Sequence, residues 1–169
     1  MQDKVQQIRT DHIETVRRFN RFYTNVLGLL RDTIYAPEAT LTEARVLWEI
    51  AYAPDCTATD LTQLLRIDRG YLSRLLDRFV RRGIVARAPG QRDRRQKTLA
   101  LTARGRTLLD SLEARSKASV TGLLESLDDN ERAELVWAMG RIGTILEGAG
   151  QCPRGNVEPL APSDPNPQK

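Results

Sequence analysis

The stretch Arg69-Gly70-Tyr71-Leu72-Ser73-Arg74-Leu75-Leu76-Asp77-Arg78-Phe79-Val80-Arg81-Arg82-Gly83-Ile84-Val85 decides how the chain is to be read. At about 100° per residue, Leu72, Leu75, Leu76 and Phe79 fall on one side of a helix. Gly70, Tyr71, Ser73, Arg74, Asp77, Arg78 and Arg81 fall opposite them. Asp68 is placed to cap this helix, which runs to Arg82 and ends at Gly83, a residue suited to a left-handed C-terminal turn. Such a face suits a DNA major groove, where arginine donates a bidentate pair to guanine and serine reaches a base edge or a phosphate. Gly70 keeps the first turn slim enough for close approach. Taken alone, the same arginines are equally a solvated surface, so the neighbouring segments have to decide.

They agree. Before this helix, a third helix starts near Thr57 or Thr59, buries Leu61, Leu64 and Leu65, and stops at Arg66-Ile67. After it the period changes. Ile84–Ala88 and Gln96–Thr102 are short strands, the second with Leu99 and Leu101 on one face. Between them lies a polar turn, Pro89-Gly90-Gln91-Arg92-Asp93-Arg94-Arg95. Helix, tight connection, helix and hairpin together spell a winged helix-turn-helix. The basic tip of the hairpin can follow phosphates or enter a narrow minor groove, and Asp93 can orient Arg94 or Arg95 through a charge-assisted bond.

Working outward, apolar residues recur at spacings of three and four from about Gln6 to Tyr35: Ile13, Val16, Phe19, Tyr23, Val26 or Leu27, Leu30 and Ile34. Pro37 closes that first helix. Thr40-Leu41-Thr42-Glu43 has the capping-box form and opens a second helix to Ala53, with Ala44, Leu47, Trp48 and Ala51 inward. Thr102 caps a long fifth helix with Leu109, Leu112, Ser116, Val120, Leu123 and Leu127 on one stripe. Asp128 to Glu131 begin a sixth, with Leu135, Met139, Ile142 and Leu146 inward. The first, fifth and sixth helices carry more apolar stripe than the central residues can cover, which points to a partner; a single helical bundle in a monomer is the alternative. The organisation expected is a dimerisation helix over 1–36, a DNA-binding lobe over 37–102, dimerisation helices over 103–147 and a disordered proline-rich tail over 148–169.

Composition limits the function classes. The chain has 169 residues, 40% apolar and 28% charged, enough for one core. No apolar run reaches the roughly 18 residues of a membrane span. The polar N-terminus lacks the core of a signal peptide, so a cytoplasmic location is expected. Residues 57–106 hold twelve arginines and one lysine against four aspartates, a net of +9, leaving −5 for the rest of a chain whose total is +4. A basic segment in an otherwise acidic chain marks a local polyanion-binding face. The cysteines, Cys56 and Cys152, have no metal-ligand spacing, and His12 is the one histidine, which argues against a metal site. Free thiols are the plain reading, with redox sensing as the alternative. No phosphate loop, nucleophile elbow or metal set supports an enzyme or a cofactor. A winged helix used for protein contacts is the third class, and the basic recognition face speaks against it.

The stretch Arg69–Val85, with Asp93-Arg94-Arg95 and Leu99-Ala100-Leu101-Thr102, resembles the MarR family of regulators, over roughly Arg9 to Leu146. The resemblance implies a mainly α fold with a small β-hairpin wing and a homodimer joined by the first, fifth and sixth helices. It also implies a recognition helix in the major groove of a pseudo-palindromic operator and a wing arginine, Arg94, in the minor groove. Members usually repress genes and release DNA on binding a small, often phenolic, ligand. Phe19–Thr24 and Leu41–Leu47 further resemble the regulator domain found fused to GNAT-type acetyltransferases. Here a proline-rich tail stands where that second domain would follow, so acetyl transfer is not carried over. The expected DNA-binding residues are Arg69, Gly70, Tyr71, Ser73, Arg74, Arg78, Arg92, Asp93, Arg94, Arg95 and Lys97. Candidate ligand-binding residues are His12, Phe19, Trp48 and Tyr52, each otherwise plain packing.

Overall fold

A computed structural model describes residues 10–26, 38–53, 55–89 and 97–149. Within them the order is α1 (Thr10–Val26), α2 (Leu41–Tyr52), α3 (Ala58–Leu65), α4 (Arg69–Arg81), β1 (Val85–Pro89), β2 (Lys97–Leu101), α5 (Ala103–Glu125) and α6 (Asp129–Gly148). The outer parts of the expected first helix, the wing tip with Arg92, Asp93, Arg94 and Arg95, and the tail with Cys152 lie outside the described residues. The rest is a mostly helical chain with one antiparallel hairpin, as the periodicities require.

Side-chain caps set most of the helix starts. Thr40 with Glu43, Thr57 with Asp60 and Asp128 with Glu131 each form a complete capping box. Asp68 accepts from the Tyr71 N–H at 2.7 Å and opens α4. Gly83, at φ 66°, closes that helix in the left-handed region. The third helix ends less obviously, with Arg66 itself left-handed at φ 52°.

The core closes within residues 44–112. Val46, Leu47, Leu61, Leu72, Leu75, Leu76, Phe79, Ile84, Val85, Leu99, Leu109 and Leu112 are buried together. All four apolar residues expected on the back of α4 are among them. In β1 and β2, Val85 pairs with Leu101, Arg87 with Leu99 and Pro89 with Lys97. The first strand is displaced by one residue from the expectation. Ile84 N–H donates to Phe79 O at 2.9 Å, so Ile84 finishes the helix exit. Thr102 likewise caps α5 and is not part of the strand. The chain before α3 joins the sheet edge: Leu99 N–H donates to Cys56 O at 2.8 Å, and Thr57 bridges Thr98.

A tight joint connects hairpin, recognition helix and α5. Thr102 Oγ1 donates to Gly83 O at 2.6 Å and accepts the Gly105 N–H at 3.0 Å. Thr102 N–H donates to Ile84 O at 3.0 Å. A Cβ on Gly105 would sit 2.1 Å from Ile84 O, so only glycine permits this approach.

The long helices depart from the sequence reading. Ile13, Val16, Phe19 and Val26 on α1 are exposed, and Tyr23 is half-buried. On α6, Ile142 and Leu146 are exposed while Leu135 and Met139 are half-buried. On α5, Leu109 and Leu112 are buried, but Val120 is exposed. The stripes exist; among the described residues nothing covers them fully. The second helix differs in the other direction. Besides the expected Ala44 and Leu47 it buries Val46, Ile50 and the carboxylate of Glu49, which lies 2.6 Å from the guanidinium of Arg45. Pairing offsets part of the cost of burying that charge, though neither carboxylate oxygen accepts a well-aligned hydrogen bond.

Candidate nucleic-acid interface

The recognition helix α4 presents its polar face to solvent, as its pattern requires. Arg69, Gly70, Tyr71, Ser73, Arg74 and Arg78 are all exposed, and Lys97 is exposed at the start of β2. The Asp68 cap fixes the first turn, so Tyr71, Ser73 and Arg74 leave the helix in a set direction. Gly70 has a local role as well. A Cβ there would lie 3.2 Å from Asp68 Oδ1 and 3.5 Å from Arg74 Nη1, so the bare backbone leaves room for both cap and guanidinium.

The expected residues are not equivalent. Arg78 Nη2 donates to Glu43 Oε1 at 2.9 Å, tying α4 to the first turn of α2. Arg74 projects one turn earlier, towards the helix N-terminus, where helix-turn-helix proteins contact bases. Sequence reasoning missed Arg87, whose Nη2 donates to Asp77 Oδ1 at 2.7 Å and joins β1 to the recognition helix. It also missed a notch of about 360 Å³ between α3 and α4, bordered by Thr59, Thr62, Gln63, Arg69 and Ser73, with Arg87 at its edge already engaged by Asp77. The spacing of Thr59, Thr62 and Gln63 on an eight-residue helix was the available signal, because i, i+3 and i+4 share a face. Hydroxyl, amide and guanidinium donors around a notch suit a phosphate oxygen.

The candidate ligand residues fall into two groups. On α1, His12 is exposed and Phe19 stacks on Tyr23 with ring centres 5.5 Å apart. On α2, Trp48 and Tyr52 pack at 4.7 Å, and the Arg45 guanidinium covers the Trp48 ring at 5.1 Å. Trp48 borders a cavity of about 540 Å³ between α2 and α5, with Leu41, Ala44, Leu112, Val120 and Lys117. The Tyr52 hydroxyl donates to Glu113 Oε1 at 3.1 Å, which pushes its phenol up from the ordinary value. Cys56 is buried, and burial first, then the Asp60 and Glu49 carboxylates, push its thiol up to about 11. That opposes thiolate chemistry. Among the described residues no cluster of histidine, cysteine or carboxylate side chains could hold a metal, and no helix is long and apolar enough to cross a membrane.

Comparison with known proteins gives this geometry a context. The sequence model of the MarR family matches residues 40–96, which span α2 to the wing. The multiple antibiotic resistance protein MarR of Salmonella typhimurium is 29% identical over 115 residues, covering 68% of this chain and 80% of that protein. The HTH-type transcriptional regulator BilQ of Clostridium symbiosum is 25% identical over 121 residues, covering 72% and 74%. The crystal structure of a mutant MarR from E. coli complexed with operator DNA superposes with a TM-score of 0.61 at 26% identity, covering 78% of this chain and 95% of that one. Core, recognition face, hairpin and these likenesses converge: over the lobe and most of its helices the chain is similar to the MarR family of winged helix-turn-helix, DNA-binding transcriptional regulators.

Proposed function

We propose that the protein is a repressor that binds a pseudo-palindromic operator as a homodimer and leaves it when a small aromatic ligand binds. The single observation that carries the DNA reading is α4, with its back wholly in the core and its front a row of exposed donors. Arg74 and Ser73 meet base edges, while Arg69, Gly70 and Tyr71 fit the first turn against the groove wall. The notch between α3 and α4 takes a backbone phosphate. Lys97 and the wing residues Arg92, Asp93, Arg94 and Arg95 extend the contact along the duplex, Arg94 into the minor groove. The exposed stripes of α1 and α6 support the homodimer, since apolar faces of that length seek cover. Residues 1–36 and 103–147 then form the dimerisation region, and 37–102 the DNA-binding lobe. The cavity beside Trp48 supports a small aromatic ligand.

Fluorescence anisotropy with DNA from around the protein's own gene, across a salt series, tests this. Tight binding to one palindrome with half-sites about 10 bp apart is expected, with a salt slope of about −0.9 per phosphate neutralised. Arg74→Ala should relax base preference at a cost of about 1–3 kcal/mol. Equal loss on all sequences would refute base reading by Arg74.

A further inference from the structure

The recognition helix carries ion pairs on two adjacent residues, and each reaches a different neighbour. Arg78 pairs with Glu43 of α2 at 2.9 Å, and Asp77 pairs with Arg87 of β1 at 2.7 Å. Glu43 is not an ordinary surface carboxylate. Its Oε2 accepts the Thr40 N–H of the capping box at 2.9 Å while its Oε1 holds Arg78. Its side chain is only 13% exposed. An exposed pair between two mobile side chains contributes little. A carboxylate already fixed by a helix cap is a preorganised anchor, so less freedom is lost when the guanidinium docks. Asp77 and Arg78 also lie on the turn after Arg74, farther from the helix N-terminus that meets bases.

We infer that these two pairs aim the recognition helix, so that Arg78 and Arg87 are positioning residues and base reading falls to Arg74, Ser73 and the first turn. The inference rests on the DNA-binding reading above. It assigns the Glu43 carboxylate two jobs, opening α2 and setting the angle of α4 against it. It also makes wing and recognition helix one body, joined through Asp77 and Arg87.

Glu43→Gln separates the roles, because an amide keeps an oxygen for the Thr40 N–H but ends the ion pair. Asp77→Asn does the same at the wing. The probe is a duplex selected by the unaltered protein from a randomised library, with a scrambled duplex as control. Glu43→Gln should weaken binding to the selected duplex roughly three- to tenfold, and Asp77→Asn, whose pair is more exposed, by less. Binding to the scrambled duplex and the melting temperature should hold. Arg78→Gln should match Glu43→Gln, and the two together should be no worse than either. A direct DNA contact gives the opposite sign. Freeing Arg78 and removing a negative charge beside DNA would hold or raise affinity, and Arg78→Gln would then be far worse than Glu43→Gln. That result overturns the inference, as does an equal loss on both duplexes with a lowered melting temperature. If the unaltered protein selects no duplex, the DNA-binding reading fails and takes the inference with it.

Discussion

The winged lobe and the long helices α1 and α6 are patterned alike in sequence and behave oppositely in structure. In the lobe, Leu47, Leu61, Leu75 and Phe79 are sealed from water. On α1 and α6, Val16 is 58% exposed and Ile142 42% exposed, though each stands in a row of apolar residues at spacings of three and four. Periodicity therefore tells which face of a helix is apolar, and not what covers it. In the lobe the cover comes from the same chain; on the long helices the described residues leave it incomplete. A lobe that closes on itself can stay rigid while the exposed stripes outside it rearrange.

The largest expected effect attacks the closed region directly. Phe79→Ala should destabilise the lobe by about 3–5 kcal/mol in urea unfolding; a cost below about 1 kcal/mol would mean the lobe is loosely packed and the contrast is false. Gly105→Ala comes next, at about 1–3 kcal/mol, because its methyl group would meet the Ile84 carbonyl. The double substitution Val16→Asp with Ile142→Asp sharpens the other side. Sedimentation should show monomers, while amide exchange at Leu75 and Phe79 stays within about 0.5 kcal/mol of the unaltered protein. Loss of protection there would show that the lobe depends on the stripes. The smallest response is expected at Cys56, whose thiol is raised from 9.0 to about 11. It should resist alkylation at pH 8 in the folded protein, read by peptide mapping. A thiol raised in this way contributes stability that is complete below about pH 9 and is lost as pH rises towards 11. A readily alkylated Cys56 would reopen the redox-sensor reading.

The recognition helix was legible because each local signal agreed: Asp68 as cap, four apolar residues at helical spacing, Gly83 as terminator. Other features carry no local signal. Arg66 ends α3 in a left-handed conformation that its residue type does not announce. Glu49 reads as a surface glutamate until tertiary packing encloses it. The pairing of Leu99 with the Cys56 backbone, and of Asp77 with Arg87, joins residues that meet only once the hairpin has folded back. The polar face of α4 is legible from its periodicity, and that face is exposed. That Arg78 holds Glu43 is not legible, since a residue list names no partners.

The joint at Thr102 and Gly105 bears on how this chain can be recombined with its relatives. Leu101 ends the hairpin and Ala103 begins α5, so one residue separates them and supplies no slack. Exchanging the lobe at that boundary, a natural choice from the domain outline, would divide a fitted set in which Gly83, Ile84, Thr102 and Gly105 touch. A graft taken from residue 103 onward must therefore bring a glycine two positions in, or the recipient lobe will not seat on it. The workable seam lies further along α5, past Leu112, where the helix leaves the core.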